Sequence, residues 1–486
     1  MRPVILDCYT DEPSGLGVPP YLGTYPRYLY GALADKDPIY LTIDDLRAAV
    51  LQDKKKNRDP QKTDIKTVNK TRPTEETREI LTHTNSMLIS GGIQTPGKYL
   101  SAVPGTFSEI HRLTAGLSCQ KMLVGPAANL GTRLEGGRMQ ESIPPGTFDA
   151  VEPNFMGIED YDKVDAFAKK GAGILDQIPY PVMVELESGR GCPMRCSFCT
   201  EPLKYGIEDR EPEPIIDEAK ALADHGATHF RFGKATCFYA YGKKDPKRME
   251  TMLAGISKMK PETLHIDNAN PNNVTDELTK ILVRHCTPGN IAAFGVESFD
   301  VDVVKANRLN TAPARALEAI RIINKHGATR GENGMHNLLP GVNIIMGLLG
   351  ETKKTHEENI SHLKQVIDEG LLLRRINIRQ AVVFEGTYLK ENGGLKYLKK
   401  NKKHYWRWRN DIRQQIDLPM LERLVPIGTV MKGIRTEVHD GKTTFGRQWG
   451  TYPLIVGIKE RLPLGETYDV RITGHMLRSV TGEIIR

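Results

Sequence analysis

Three thiols hold most of the chemistry this sequence can perform. Cys192, Cys196 and Cys199 stand in the spacing C-x-x-x-C-x-x-C, with Phe198 directly before the last. A short loop at this spacing can turn three sulfurs toward one point, and cysteine thiolates are the ligands of iron–sulfur clusters. Three ligands for a four-iron cube leave one iron open to chelate a small molecule. A zinc knuckle and a disulfide loop are the alternatives. Closed zinc sites take four N/S ligands, and no nearby Cys or His completes the set: His229 and Cys237 lie well downstream, past a helix-like stretch.

The elements that must position these thiols recur between residues 176 and 390. Apolar strand patterns at 182–186, 228–232, 263–267, 291–296, 342–346 and 376–384 alternate with helix patterns at 214–225, 276–285, 313–326 and 355–369. Pro214 and Pro313 suit first helical positions, where no backbone N–H is needed. Six β-α units with parallel strands predict an α/β fold, a partial (β/α)6 TIM-type barrel. Chemistry in such barrels sits at the carboxyl ends of the strands. The thiol loop follows the first strand.

C-x-x-x-C-x-aromatic-C directly after a hydrophobic strand resembles the radical S-adenosylmethionine (SAM) superfamily. The resemblance implies a 4Fe-4S cluster on Cys192, Cys196 and Cys199, with Phe198 beside the cofactors, whose unique iron binds the amino and carboxylate groups of SAM. An electron from a donor such as ferredoxin or flavodoxin then cleaves SAM to methionine and a 5′-deoxyadenosyl radical.

Other strand ends resemble the family's motifs in barrel order. Gly233, in Arg231-Phe-Gly-Lys-Ala-Thr236, matches a Gly-Gly-Glu-like stretch that meets the SAM amino group, although Lys234 is not Glu. Glu297 and Ser298, in Gly295-Val-Glu-Ser298, match a G-x-E-S segment near the SAM ribose and methionine. Arg308 matches the arginine that meets the SAM carboxylate. Gly347, in Asn343-Ile-Ile-Met-Gly-Leu-Leu-Gly-Glu351, matches a turn that leaves room for adenine, and Glu385-Gly-Thr387 a P-G-T turn.

Residues 1–175 predict an open Rossmann/flavodoxin-like domain, with strands near 4–6, 39–43, 87–90 and 122–124 and helices at 24–33, 45–50 and 107–115. Gly15-Leu-Gly-Val-Pro-Pro-Tyr-Leu-Gly followed by Tyr30-Gly-Ala-Leu resembles the cobalamin-binding-type domain ahead of many radical SAM cores, but no D-x-H-x-x-G supplies a cobalt ligand. The tRNA methylthiotransferases also begin with a flavodoxin-like domain, one with three cysteines for a second cluster. Only Cys8 and Cys119 precede the core here, and both are expected to be buried small residues. A cobalamin domain and a vestigial Rossmann-like domain both stay open. The polar stretch 53–78, with Lys54-Lys-Lys-Asn-Arg58, reads as a solvated insertion loop.

Residues 391–425 interleave cations with aromatics: Lys402, Lys403, Trp406, Arg407, Trp408 and Arg409 form its densest part. Cations neutralise phosphates and flat rings stack on unpaired bases. A surface helix whose aromatics pack inward fits the same residues. Residues 426–486 read as short strands, and Leu464-Gly-Glu-Thr-Tyr-Asp-Val-Arg-Ile-Thr-Gly with Ser479-Val-Thr-Gly482 resembles a TRAM domain, the OB-like barrel of many tRNA-modifying enzymes.

Composition sets the frame. With 486 residues, 39% hydrophobic and 26% charged, the chain is long enough for about three globular domains. Seven cysteines, one trio and four scattered singles, are not a secreted disulfide framework. No apolar run approaches membrane-spanning length and no signal region opens the chain, so no membrane association and a cytoplasmic location are expected. The net charge of +7 permits a polyanionic partner. Together these features predict a radical SAM enzyme that modifies RNA, above all tRNA, by methylthiolation or methylation; the alternative is a protein side chain or small metabolite as substrate.

Overall fold

A computed structural model describes residues 2–9, 19–51, 68–92, 103–133 and 136–485. The Gly15 to Gly17 part of the cobalamin-type motif and the Lys54 to Arg58 run lie outside the described residues. Two compact units form, one from residues 1–134, 140–187 and 210–230, the other from 135–139, 188–209 and 231–486.

The first unit is built on five parallel strands in the spatial order Ile39–Thr42, Val4–Cys8, Ser86–Gly91, Gln120–Val124, Ala150–Val151. Val4–Cys8 is buried at every position, as a parallel strand covered on both faces must be. Its helices start where the sequence supplies caps: Thr42 and Asp45 form a reciprocal capping box for Ile43–Val50, and Thr106 Oγ1 accepts from Glu109 N at 3.2 Å ahead of Phe107–Thr114. The strand order is that of flavodoxin-like sheets, whose ligand crevice opens beside the first strand. The loops that follow Val4–Cys8 and Ser86–Gly91 lie mostly outside the described residues. Cys8 and Cys119 both sit in the apolar core with Leu6, Ile89, Phe107 and Leu123, and burial pushes both thiols up. Tyr21–Leu22 runs parallel to Met183–Leu186 in the same unit.

All six predicted core strands form: Met183–Leu186, His229–Phe232, Thr263–Ile266, Asn290–Glu297, Leu338–Met346 and Arg375–Gln380. Within the second unit Asn268–Ala269, Asn290–Glu297, Leu338–Met346 and Arg375–Gln380 pair in that order, all parallel. Helices Asp276–His285, Pro313–Gly327 and Lys353–Asp368 connect the repeats. The last strand stops at Gln380 instead of running on to 384. Past it the backbone leaves the sheet: Val383 N donates to Arg138 O at 3.0 Å and Thr387 Oγ1 to Phe384 O at 2.6 Å.

The carboxyl-terminal strands Val430–Asp440, Thr443–Arg447, Ile455–Ile458, Thr467–His475 and Val480–Ile484 close into a barrel. The first of them, Val430–Asp440, is longer than the short strands expected and is bulged at Gly433, whose φ is +71°. Val480–Ile484, first seen only as a motif, runs parallel to Ile455–Ile458 and completes the closure. The chain is thus α/β: a flavodoxin-like sheet, the β/α core of a partial barrel and a small OB-like β-barrel.

Candidate active site

The thiol loop is held by its backbone. Ser197, between Cys196 and Phe198, is fully buried. Its N–H donates to Asn307 O at 2.9 Å, its hydroxyl to Asn307 Oδ1 at 2.7 Å, and its carbonyl accepts from Leu389 N at 2.7 Å. Asn307 in turn donates to Leu349 O at 2.8 Å and accepts from Leu349 N at 3.0 Å. One asparagine therefore ties the loop to the segments that follow the Asn290–Glu297 and Leu338–Met346 strands. Asn307 was not singled out in the sequence; its place beside Arg308, in a stretch already matched to the family, was the available signal. Phe198 packs with Leu349, Val383 and Leu389, and Thr236 Oγ1 donates to Gly191 O at 2.9 Å.

Among the described residues no three His, Cys, Asp or Glu are gathered closely enough to hold a metal ion, and this covers the three thiols as they stand. The three thiols do interact: Cys192 raises Cys196, and both raise Cys199. Burial is the larger cause, pushing Cys196 up to about 12 and Cys199 higher still. Partly buried thiols whose ionisation is this disfavoured become thiolates more readily against a nearby cation. The iron of a cluster supplies one, and three thiols are the donor type that iron–sulfur clusters take.

Glu297 adjoins the loop closely enough to raise Cys196. It has a left-handed φ of +65°, a conformation a glutamate adopts only where its surroundings impose it. Its Oε2 is buried without a hydrogen-bond partner, and burial lifts the carboxyl to about 8, with Arg379 pulling the other way. A strained, orphaned carboxyl at a strand's carboxyl end suits a ligand hydroxyl or amine. Ser298 is engaged locally, accepting from Asp300 N at 3.1 Å, and Asp300 caps the next helix by accepting from Asp302 N at 2.9 Å. Arg308, at φ +53°, is exposed and lays its guanidinium 3.6 Å from the Tyr388 ring centroid. Gly233 is buried, and its carbonyl accepts from Asn268 Nδ2 at 3.4 Å.

Gly347 differs from expectation. Its φ is +95°, and a Cβ there would come 2.1 Å from Leu398 Cδ2. The room that glycine leaves is thus filled by Leu398, from the helix Lys396–Ile412, instead of standing open for adenine. Glu351 completes the junction by accepting from Gly347 N at 2.6 Å and Asn401 Nδ2 at 2.7 Å. A shallow cleft remains beside it, lined by Met346, Gln380, Tyr405 and Trp408 among others. Burial raises the Glu351 carboxyl to about 7. A carboxyl whose folded value exceeds its unfolded one stabilises below the unfolded value and loses that contribution as pH rises through the folded one. Between about pH 4.5 and 7, wild type should therefore lose on the order of 2 kcal/mol relative to Glu351→Gln. Parallel pH profiles of unfolding for the two proteins would contradict this.

The same helix divides its aromatics. Trp408 is 3% exposed and stacks between His356 and His404, each ring centroid 5.3 Å away. It cannot reach a base, which corrects its assignment to a nucleic-acid contact: the indole is the helix's anchor. Trp406 is 64% exposed with the Arg409 guanidinium 5.3 Å from its ring centroid. Lys402, Lys403 and Arg407 are exposed beside it.

Comparison with known proteins places this geometry. Residues 186–363 match the model of the Radical SAM superfamily. An uncharacterized protein of Methanocaldococcus jannaschii is 38% identical over 535 residues, covering 100% of this chain and 93% of that protein. A tRNA-2-methylthio-N(6)-dimethylallyladenosine synthase of Clostridium novyi is 26% identical over 182 residues, 36% of this chain and 38% of that protein. Among solved structures, the radical SAM methyltransferase TsrM of Kitasatospora setae aligns over 80% of this chain and 75% of its own, with TM-score 0.48 and 13% identity. No helix among the described residues is long and apolar enough to cross a membrane. Enzymes of the matched family use a 4Fe-4S cluster and SAM, and the chain belongs to the radical SAM superfamily.

Proposed function

We propose that this protein is an RNA-modifying radical SAM enzyme with tRNA as its substrate class. Cys192, Cys196 and Cys199 would hold the 4Fe-4S cluster, and Glu297, Arg308 and the backbone at Gly233 would meet SAM. When bound, the cluster and SAM would supply, with one electron from an external donor, radical chemistry that removes hydrogen from the substrate. The chain's own residues do the rest. Asn307 and Ser197 fix the loop, Phe198 anchors it on Leu349, Val383 and Leu389, and the Glu297 carboxyl, neutral near pH 7, can donate as well as accept a hydrogen bond.

The observation that carries the RNA reading is the helix Lys396–Ile412. Its inner face, through Leu398 and Asn401, is pinned to the Gly347 turn. Its outer face presents Lys402, Lys403, Trp406 and Arg407. A polyanion gripped by the outer face is thereby held in fixed register with the strand ends. The closed carboxyl-terminal barrel, TRAM-like in sequence, offers a second surface of the kind nucleic acids use. The matched synthase from Clostridium novyi, named for a methylthiolated adenosine of tRNA, supports the same substrate class. Methylation is the better supported chemistry, because Cys8 and Cys119 are core residues and the amino-terminal unit has no third thiol for a second cluster.

The test is tRNA binding by filter retention at two salt concentrations. Trp406→Ala with Arg407→Ala should weaken binding about tenfold and flatten its salt dependence, as expected for one stacked base and one phosphate contact. Unchanged binding at both salts would remove this helix from the interface, and mass spectrometry of tRNA nucleosides from a deletion strain reads out the modification itself.

A further inference from the structure

Parallel strands buried under helices are usually apolar on both faces. The second unit's strands break that rule on one face. Along Arg375–Gln380 the partly exposed Arg375, Asn377 and Arg379 alternate with buried Ile376 and Ile378, and Gln380 at the end is partly exposed too. On the neighbouring strand Asn343 lies opposite Asn377 in register, and Asn377 Nδ2 donates to Asn343 Oδ1 at 3.0 Å. The wall is polar and carries surplus positive charge.

Two acids stand near it: Glu297, whose carboxyl Arg379 pulls down, and Asp267, which is already committed. Asp267 pairs with Arg231 at 3.1 Å, and both side chains are fully buried. Arg375 and Arg379 have no carboxylate within ion-pair distance among the described residues. Arg375 Nε is buried without a hydrogen-bond partner, and Nη2 reaches only Asn377 Oδ1 at 3.4 Å. One face of the guanidinium rests on the Tyr452 ring, 3.8 Å from its centroid. Tyr452 is itself held at φ +69°, with Arg374 Nη2 donating to its carbonyl at 2.8 Å. The scaffold thus holds a guanidinium in place and leaves its edge unanswered. Burial lowers Arg375 to about 10, still charged at neutral pH, as expected of a cation without its anion.

We propose that this wall is a substrate subsite, in which Arg375 and Arg379 grip an anionic group, a phosphate or a carboxylate, while the Asn343–Asn377 amide pair hydrogen-bonds beside it. Guanidinium forks match both oxyanions bidentately. The inference rests on the reading that the substrate's reacting part enters the β/α core. It narrows that substrate to one with an oxyanion near the reacting carbon, as the phosphate flanking an extruded nucleotide would provide.

The experiment uses the full chain, with orthophosphate and acetate as probes at constant ionic strength against chloride, read by thermal unfolding and calorimetry. Wild type should show saturable binding of one probe, at least tenfold weaker in Arg375→Gln and partly restored in Arg375→Lys. Preference for orthophosphate identifies a phosphoester source and preference for acetate a carboxylate source. Should Arg375→Gln fail to fold by circular dichroism, Arg379→Gln carries the same expectation. Binding of neither probe by wild type, or equal binding by the glutamine variants, overturns the subsite. A tenfold rise in the KM for SAM in Arg375→Gln also overturns it, since the anion would then be SAM's own carboxylate. Deoxyadenosine formation by wild type is measured in parallel. Its presence without anion binding sinks this inference alone, and its absence sinks the reading beneath it.

Discussion

Replacing Cys196 with alanine is expected to take reconstituted protein from about four irons per chain to fewer than one, and deoxyadenosine formation from SAM to background. Cys196 stands between the other two thiols in the loop, next to Ser197, whose three hydrogen bonds fix the backbone, and its ionisation is coupled to that of Glu297. Removing it leaves two thiols whose own surroundings disfavour the thiolate. Two such donors cannot carry a cube that ordinarily takes three or four. Cys237→Ala is the matched control. That thiol is held in the interior, accepting from Asn270 N at 3.1 Å and Asn273 Nδ2 at 3.3 Å, and its loss should leave iron content and SAM cleavage intact. A Cys196→Ala protein that still binds four irons and cleaves SAM would move the cluster elsewhere and end the assignment of the loop. Asn307→Ala should give an intermediate result, with all three donors present and the loop unpinned.

What could be read from the sequence, and what could not, follows from how far apart the interacting residues lie. The thiol spacing, Gly295-Val-Glu-Ser298 and the β-α rhythm are local patterns, and the six strands lie where the apolar runs placed them, within a few residues at each end. The partner of Gly347 is not local. Only the folded chain shows that Leu398, fifty-one residues on, fills the space its missing side chain leaves. Nor could the run of cations and aromatics reveal that Trp408 points inward while Trp406 points out. That needed the His356 ring, from a different helix, against the indole. Arg375-Ile-Asn-Ile-Arg-Gln380 is the instructive case. Its period-two alternation is plain in the sequence, yet a strand of a parallel sheet is expected to be apolar throughout, and that expectation hid the polar wall. Tyr452, in a loop of the carboxyl-terminal barrel, had no sequence signal tying it to Arg375.

The largest stability effect is expected in the other unit, at Glu218. This residue, on the helix Pro212–Asp224, accepts from Arg27 Nη1 at 2.5 Å and from Arg210 Nη1 at 2.6 Å, and all three side chains are fully buried. Arg27 also donates to Glu185 O, and Arg210 to Glu187 O at 3.0 Å and to Asp165 at 2.7 Å. One carboxylate therefore joins the helix Thr24–Ala32, the strand Met183–Leu186 and the turn at 210. Glu218→Ala would leave the fully buried Arg27 without a carboxylate and Arg210 with Asp165 as its remaining one. Breaking a buried pair in this way costs about 3–5 kcal/mol, more than the pair itself contributes, because the remaining charge keeps its desolvation penalty. Chemical denaturation followed in the first unit's transition should show a loss of that size, and Glu218→Gln, which keeps volume but not charge, a loss nearly as large. Arg27→Met combined with Glu218→Gln should recover part of it, since a hydrophobic side chain then replaces one stranded cation. A loss under about 1 kcal/mol in Glu218→Ala would mean that water reaches both arginines once the carboxylate is gone, and that their burial in the folded chain depends on Glu218.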